Sequence, residues 1–493
     1  MTTTADTAAP VPTASERPSR RATIVALTVI AGTVMIPLDV TVVAIALARL
    51  SEETGASLPV IQWVSTGYTL ALATVIPAAA WAMGRYGARG VFLGAIGVFT
   101  AGSLLVACSW DAGSLIAFRV VQGLGGGFVM PAAMTLALRA APEGERGRVM
   151  SLLGLPILVG PVLGPPLGGW LLDNLSWRWM FLVNLPVGLL AIWLARRNLP
   201  KLPGDRSVGL DQRGLLLLAP AMALLVLGTS LADGSLVTVG VLLPVVAGLI
   251  LLVGFARHSL RARHPLLKVR LLGNRLTGGG ALVLVLFVGG YFSTLLLVPL
   301  YFQVARGESA TTAGLLMVPQ AVLAGLSIQV SGRLVDRVPA LRVIGTGIAL
   351  AAVGYGGFAL LLGAETSYWV LVPFLMLGTT GAGATMLPTI TMATRHLEDA
   401  DIPSGSTTTN VLNQLSTSLV TAAVAVVLAA ALASRLPALA DGGIGDLQAL
   451  PASARLAAAP QVSEAVQVAM LLPVGLMLAS LVVAVGVFRR AGR

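Results

Sequence analysis

Leu115-Ile116-Ala117-Phe118-Arg119-Val120-Val121-Gln122-Gly123 sets one arginine inside an apolar run that extends over roughly residues 112–138. Such a run exceeds the ~20 residues that a helix needs to cross a hydrocarbon layer. A charge at that depth is costly, so Arg119 is expected to face a partner or a cavity and not lipid. Outward from it, similar runs recur at roughly 23–47, 62–83, 90–108, 149–172, 179–196, 214–232 and 237–255. They continue at roughly 277–302, 312–331, 342–363, 368–393, 405–434 and 464–488, which makes fourteen predicted crossings. The composition agrees, with 56% hydrophobic and 11% charged residues and a mean hydropathy of +0.88. A soluble domain needs more charge than that to cover its outside. The predicted class is an all-α integral membrane protein.

The net charge of +11 raises the question of nucleic-acid binding, and the distribution of the charges answers it. With the N-terminus inside, the outside keeps only Arg49, Arg178, Arg306, Arg435 and Arg455, and Arg119 lies within a helix. All other Lys and Arg fall in cytoplasmic segments, the asymmetry that orients membrane proteins. Both termini are therefore expected in the cytoplasm, and no nucleic acid is expected as a partner.

Residues 1–21, rich in Thr, Ala, Pro and Ser, read as a disordered tail. Residues 22–197 hold six predicted helices. Residues 198–276, with their basic loops, hold two linking helices, and residues 277–493 hold six more. A repeat supports the division. Arg85-Tyr86-Gly87-Ala88-Arg89 follows the second helix, and Gly332-Arg333-Leu334-Val335-Asp336-Arg337 follows the tenth. Arg85, Gly87, Arg89, Asp336 and Arg337 are thus candidates for gating between two bundles that face each other across a midplane cavity.

Asp39 and Arg119 are the only ionisable residues well inside predicted helices. At ~1.5 Å rise per residue, Asp39 lies about 12 Å and Arg119 about 10 Å below the same outer surface. The two are expected to pair. A carboxylate beside an arginine stays ionised; separated from it in a dry cavity, it takes up a proton. That is a basis for proton coupling, and the alternative is a static pair that fixes helix register. In the fifth helix Gly160, Gly164 and Gly168 form a flat face for close approach. Pro161, Pro165 and Pro166 remove backbone donors and should bend it where the bundles pivot.

With Asp39 the only deep acid, a cavity of apolar and aromatic side chains with a few amides suits amphipathic molecules better than cations. Candidate substrate contacts are Met35, Trp63, Tyr68, Met130, Tyr291, Phe292, Gln320, Asn410, Asn413 and Gln414. The single cysteine, Cys108, excludes an intrachain disulfide, and His258, His264 and His396 fall in loops. With neither a Cys/His cluster nor a phosphate-binding loop, no metal or other cofactor is expected, and energy should come from an ion gradient.

These residues resemble the motifs of the major facilitator superfamily, and within it the fourteen-helix drug:proton antiporters, over nearly the whole chain. Leu38-Asp39-Val40-Thr41-Val42-Val43 is similar to that family's first-helix motif, and the stretch around Arg119 to its arginine motif. The run from Gly160 to Gly169 is similar to the antiporter motif, and Trp177–Pro186 also resembles the family. The pattern departs at Gly84, where an aspartate is usual, so the ionic latch expected on that side lacks its acid. The resemblance implies two six-helix bundles with two linking helices, and Asp39 and Arg119 as the proton-coupling pair. The implied function is proton-coupled export of hydrophobic or amphipathic drugs, dyes or antibiotics by a secondary transporter, not an enzyme. The setting implied is the cytoplasmic membrane of a bacterium. A dedicated exporter of one metabolite, antibiotic or lipid is the alternative, ahead of a solute importer or a membrane enzyme. Expected partners are the small-molecule substrate, protons and membrane lipids, with the chain working as a monomer.

Overall fold

In the computed structural model of the chain, residues 20–489 are described apart from 143–144, 202, 232–238, 309, 336, 396, 399–400 and 437–451. Among them no strand occurs. The first part holds α1 (Arg20–Thr33), α2 (Met35–Thr54), α3 (Leu58–Val75), α4 (Ala79–Tyr86) and α5 (Ala88–Ala107). It continues with α6 (Ala112–Ala140), α7 (Arg146–Leu153), α8 (Leu155–Asn174), α9 (Arg178–Leu182) and α10 (Asn184–Asn198). A pair follows, α11 (Gln212–Ser230) and α12 (Val239–Arg261). The rest comprises α13 (Arg275–Leu300), α14 (Ala310–Leu334), α15 (Ala340–Leu361), α16 (Tyr368–Thr394), α17 (Ile402–Arg435) and α18 (Ala452–Phe488). Thirteen helical stretches are long and apolar enough to cross a membrane. The twenty-residue α8 supplies the remaining one of the fourteen predicted crossings. Among the described residues α1 begins at Arg20, so Arg20 and Arg21 are helical, and the rest of the predicted tail, 1–19, lies outside the described residues.

Four crossings of the first part are each split into two helices, and proline accounts for every split. A proline ring clashes with the carbonyl four residues before it and donates no hydrogen bond. Pro37 lies four residues after Thr33, where α1 ends. Pro77 sits in the tight turn Ile76–Ala78 between α3 and α4. Pro156 follows the break at Gly154, and Pro186 lies four residues after Leu182, where α9 ends. In the last part, Pro319, Pro373 and Pro388 lie inside helices that run on unbroken. The bend predicted for the fifth crossing is therefore placed at Gly154, ahead of the Gly160–Gly169 run.

Lipid offers no hydrophobic gain for helix association, so close approach depends on small residues. Helix α6 is wedged between α3 and α5 in this way. A Cβ on Gly123 would stand 2.5 Å from the Tyr68 carbonyl oxygen, and one on Gly125 2.6 Å from the Phe99 nitrogen. Between α15 and α16, Gly354 packs directly on Gly378, and Gly381 on Ala351. One core gathers Phe287, Tyr301, Phe302, Tyr355 and Phe358 from the last part. Another joins Phe92, Phe99 and Leu136 to Leu284, Val288, Ile328 and Leu387, so the two halves meet in it. Helix α11 packs on α12 and also on α3 and α17, placing Leu218 and Met222 against Ile76, Val411 and Leu415.

Candidate functional site

Five helices of the first half converge on one carboxylate. Asp39 comes from α2, and its Oδ2 accepts a hydrogen bond from Arg119 Nη1 of α6 at 2.5 Å. Its Oδ1 accepts from Gln122 Nε2 at 3.0 Å and from Asn184 Nδ2 of α10 at 3.2 Å. Arg119 Nη1 also donates to Gln122 Oε1 at 2.7 Å, and Nε donates to the Val64 carbonyl of α3 at 3.1 Å. The guanidinium lies over the Tyr68 ring, 4.2 Å from its centroid, with Phe181 at 5.6 Å. Ser103 of α5 accepts from Gln122 at 2.7 Å and from Asn184 at 3.4 Å, and donates to the Phe99 carbonyl.

Asp39 is 2% exposed and Arg119 1%. Burial at that level demands that every charge find a partner, and this cluster supplies charge-assisted bonds to both. A glycine of α5 makes it possible. A Cβ on Gly102 would stand 2.7 Å from Gln122 Cα, so α5 and α6 must touch for Ser103 to reach the amide. Gly164 of α8 packs on Thr41, two residues beyond Asp39. A charged pair held by neutral amides can exchange partners without leaving either ion bare, which is what a proton-linked switch needs.

A second feature lies between the halves. A cavity of about 80 Å³ is lined by Met130 and Met134 of α6, Tyr291 of α13, Met386 of α16, and Asn410 and Asn413 of α17, among others. Methionine fills irregular space adaptably. Asn410 donates to the Ser406 carbonyl at 2.8 Å, while Asn413 Oδ1 has no hydrogen-bond partner among the described residues. Tyr291 stacks on Phe287, and Phe292 meets it edge-on at 5.4 Å.

Met130, Tyr291, Asn410 and Asn413 are thus brought together, with Phe292 behind them. The other substrate candidates are elsewhere. Met35 is buried in the core shared by the halves, and Tyr68 is spent on Arg119. Trp63 is 39% exposed. Gln320 is buried on α14 and receives a bond from Thr379 on its backbone carbonyl. Gln414 is half-buried beside Asn413 without lining the cavity. Sequence reasoning missed Gln122, Asn184 and Ser103, although Gln122 stands one helical turn from Arg119 and Asn184 falls within Trp177–Pro186.

One end of the molecule carries Arg85, Arg139, Arg146, Arg333 and Arg395, and there the halves are in close contact. Gln329 Nε2 donates to the Ser151 carbonyl at 3.1 Å, and Arg146 Nη1 to the Arg395 carbonyl at 3.2 Å. The Thr135 and Ser406 hydroxyls meet at 2.8 Å, and Gly332 packs on Ser151. Arg85 and Arg89 take no part in this seam. Arg85 Nη1 donates to the carbonyls of Arg206 at 2.7 Å and Val208 at 3.1 Å, in the loop that leads to α11. Asp205 N–H reaches the Gly84 carbonyl at 2.8 Å. Arg89 donates to the Arg196 carbonyl within the first half. Gly87 turns α4 into α5 at φ +77°, a conformation L side chains rarely adopt. Arg337 is exposed, and Asp336 lies outside the described residues. Gly168 is buried in α8, whereas the surroundings of Gly160, Pro161 and Pro165 are not described.

The fold has counterparts among known proteins. The Major Facilitator Superfamily profile matches residues 29–421. A Mycobacterium tuberculosis relative, the "Multidrug resistance protein B homolog", is 39% identical over 401 residues, covering 80% of this chain and 74% of its own. The "Putative multidrug resistance protein MdtD" of Pectobacterium carotovorum is 32% identical over 402 residues, covering 79% and 83%. Among solved structures, the proton:xylose symporter XylE superposes with a TM-score of 0.59 at 14% identity, covering 94% of this chain and 95% of that one. The human organic anion transporter MFSD10 gives 0.59 at 17% identity, covering 94% and 100%. The chain therefore belongs to the Major Facilitator Superfamily of membrane transporters.

Proposed function

We propose that this protein is a proton-coupled antiporter that exports hydrophobic or amphipathic small molecules across the cytoplasmic membrane of a bacterium by alternating access. In this reading the end rich in arginine faces the cytoplasm, as the loop charges require. Residues 22–197 and 277–493 form the two bundles, residues 198–276 link them, and the chain works as a monomer. The observation that carries the reading is the buried Asp39–Arg119 pair within its amide network. Further along α6 a methionine-lined cavity offers little fixed charge. Two relatives named for multidrug resistance support the same cargo class.

The coupling follows from the donors around Asp39. With Arg119, Gln122 and Asn184 in place both carboxylate oxygens are satisfied. Withdrawal of Arg119 as the bundles rock strips the strongest of these donors, and the carboxylate takes up a proton. Return of Arg119 releases it to the opposite side. The four proline-split crossings supply the joints for that movement. Proteoliposomes with an imposed pH gradient test the reading: the wild-type protein should drive dye uphill against proton flow. Dye movement indifferent to the gradient would overturn it. A drug-susceptibility panel with the gene deleted and overexpressed then reports cargo breadth.

A further inference from the structure

Away from the pair and its cavity, a space of about 360 Å³ lies at the arginine-rich end, against the linking helices. The loops that lead into α11 and out of α12 form part of its wall, and α4, α6 and α17 form the rest. Its charged lining is Arg139, Asp211, Arg263, His264 and Lys268. The one acid among these is already committed. Asp211 caps α11 through the Gly214 N–H at 2.8 Å, and also accepts from the Leu266 N–H at 3.1 Å and from His258 at 2.8 Å. Burial opposes its ionisation, but those donors outweigh it and hold the carboxyl below the usual range. Lys268 pairs with Asp401 at the rim. Arg263 and His264 are exposed and make no ion pair among the described residues.

The cavity also receives the start of a 34-residue helix, α17, through Pro403 and Ser404. Its N-cap, Asp401, makes no side-chain bond to the helix, because the carboxylate is turned to Lys268. The helix end itself offers an anion little, since the Ile402 N–H is bonded to the Glu398 carbonyl at 3.2 Å and Pro403 has no N–H. Trp81, Met83 and Leu266 supply an apolar wall beside these cations.

We propose that this cavity binds a phosphate-bearing anion, with Arg263 and Lys268 as its recognition elements. The arginine fork matches phosphate oxygens, and a basic pocket at the membrane surface with one apolar wall suits an anionic lipid headgroup. Bound there, the anion touches a linking loop and helices of both halves, and so favours the state in which this end is closed.

The test uses the full-length protein in a neutral detergent, with thermal unfolding followed during titration. The probes are short-chain phosphatidylglycerol, short-chain phosphatidylcholine and inorganic phosphate. Phosphatidylglycerol should raise the melting temperature saturably, and phosphatidylcholine, with no net charge, should not. In the Arg263→Gln/Lys268→Gln variant the half-maximal concentration should rise at least tenfold. Arg342→Gln, a basic residue of the second half outside the cavity, should respond as wild type. Stabilisation by inorganic phosphate alone, lost in the same variant, would assign the site to a soluble phosphate and not to lipid. A wild-type response from the double variant, an equal response to phosphatidylcholine, or no response to either anion overturns the proposal. Both substituted residues lie on the exposed rim, so the unliganded variant should melt with the wild type. Should it not, Arg263→Gln alone, which breaks no ion pair, carries the same test.

Discussion

In the first half of the molecule α2, α3, α5, α6 and α10 bury a charged pair, two amides and a serine. In the second half α13 and α15 bury rings, Phe287, Tyr355 and Phe358, with Tyr291 half-buried against them. The second half also holds hydroxyls, but Ser293, Thr379, Thr385 and Thr389 each donate to a carbonyl four residues back on their own helix. The bonds that do cross between helices there are single hydroxyl-to-carbonyl links, such as Thr379 to Gln320 and Ser331 to Gly383, whereas in the first half one network ties five helices together. Continuity differs in parallel. The first half has four proline-split crossings, and the second carries α17 of 34 residues and α18 of 37 without a break. An ion pair in a low dielectric responds to a gradient only if its geometry can change. The charged pair lies in the half whose crossings are split, and the half with the long unbroken helices offers rings and amides to the cavity.

The most severe way to break this contrast is Asp39→Asn. The amide keeps the shape and leaves Gln122 and Asn184 in place, but it cannot carry a proton. Gradient-driven transport in proteoliposomes should fall by roughly a hundredfold or more, the scale expected for losing a positioned proton-transfer group. Ser293→Ala in the second half should change the same rate by less than about twofold, since it removes one bond within a helix and a 3.5 Å contact with the Thr421 hydroxyl, and no charge. If both variants lose transport equally, the halves do not divide the work. Arg119→Lys comes next. Lysine keeps the charge but loses the fork that reaches Val64, Asp39 and Gln122 together, and the flat stack on Tyr68. A loss of at least about tenfold in gradient-driven rate is expected, with substrate binding preserved.

Glycine substitutions separate stability from chemistry across the same divide. An alanine at Gly102 meets Gln122, and one at Gly354 meets Gly378. Each should cost about 1–3 kcal/mol through overpacking, read as a lowered melting temperature. Only Gly102→Ala should also weaken proton coupling, because the helix displaced there carries Gln122. Equal coupling defects in both variants would mean that the network owes nothing special to the α5–α6 contact.

The architecture was legible because one charge in a long apolar run, repeated runs and sorted loop charges each constrain it separately. The contact between Asp39 and Arg119 was foreseeable from depth, since helical rise is fixed. The remainder of the network was not. Uncharged polar residues are common in these helices, and most, like Thr379, satisfy themselves on the backbone. Nothing in their spacing marks Ser103 or Asn184 as different. The helix breaks were written in Pro37, Pro77, Pro156 and Pro186, yet Pro319 and Pro373 sit in unbroken helices, so proline alone does not decide. For the substrate candidates, residue type was readable but helix face was not. Asn410 and Asn413, three residues apart, face the cavity, while Gln414 does not line it and Trp63 points away. The linking loop on Arg85 was hidden too, because a carbonyl acceptor leaves no trace in side-chain composition.

The smallest expected effect is at Tyr291, where the second half meets the cavity. Its ring stacks on Phe287 and presents one face beside Met130 and Asn413. Aromatic contacts of this kind contribute about 0.5–1.5 kcal/mol beyond area, so Tyr291→Ala should weaken apparent substrate affinity by about tenfold at most. Tyr291→Phe should weaken it less, since the stack survives. Neither should alter the pH dependence of transport, because the ring touches no member of the Asp39 network. Dye-binding titrations of the purified protein at two pH values measure both. A shift of the pH profile in Tyr291→Ala would join the two halves into one coupled site and dissolve the division drawn between them.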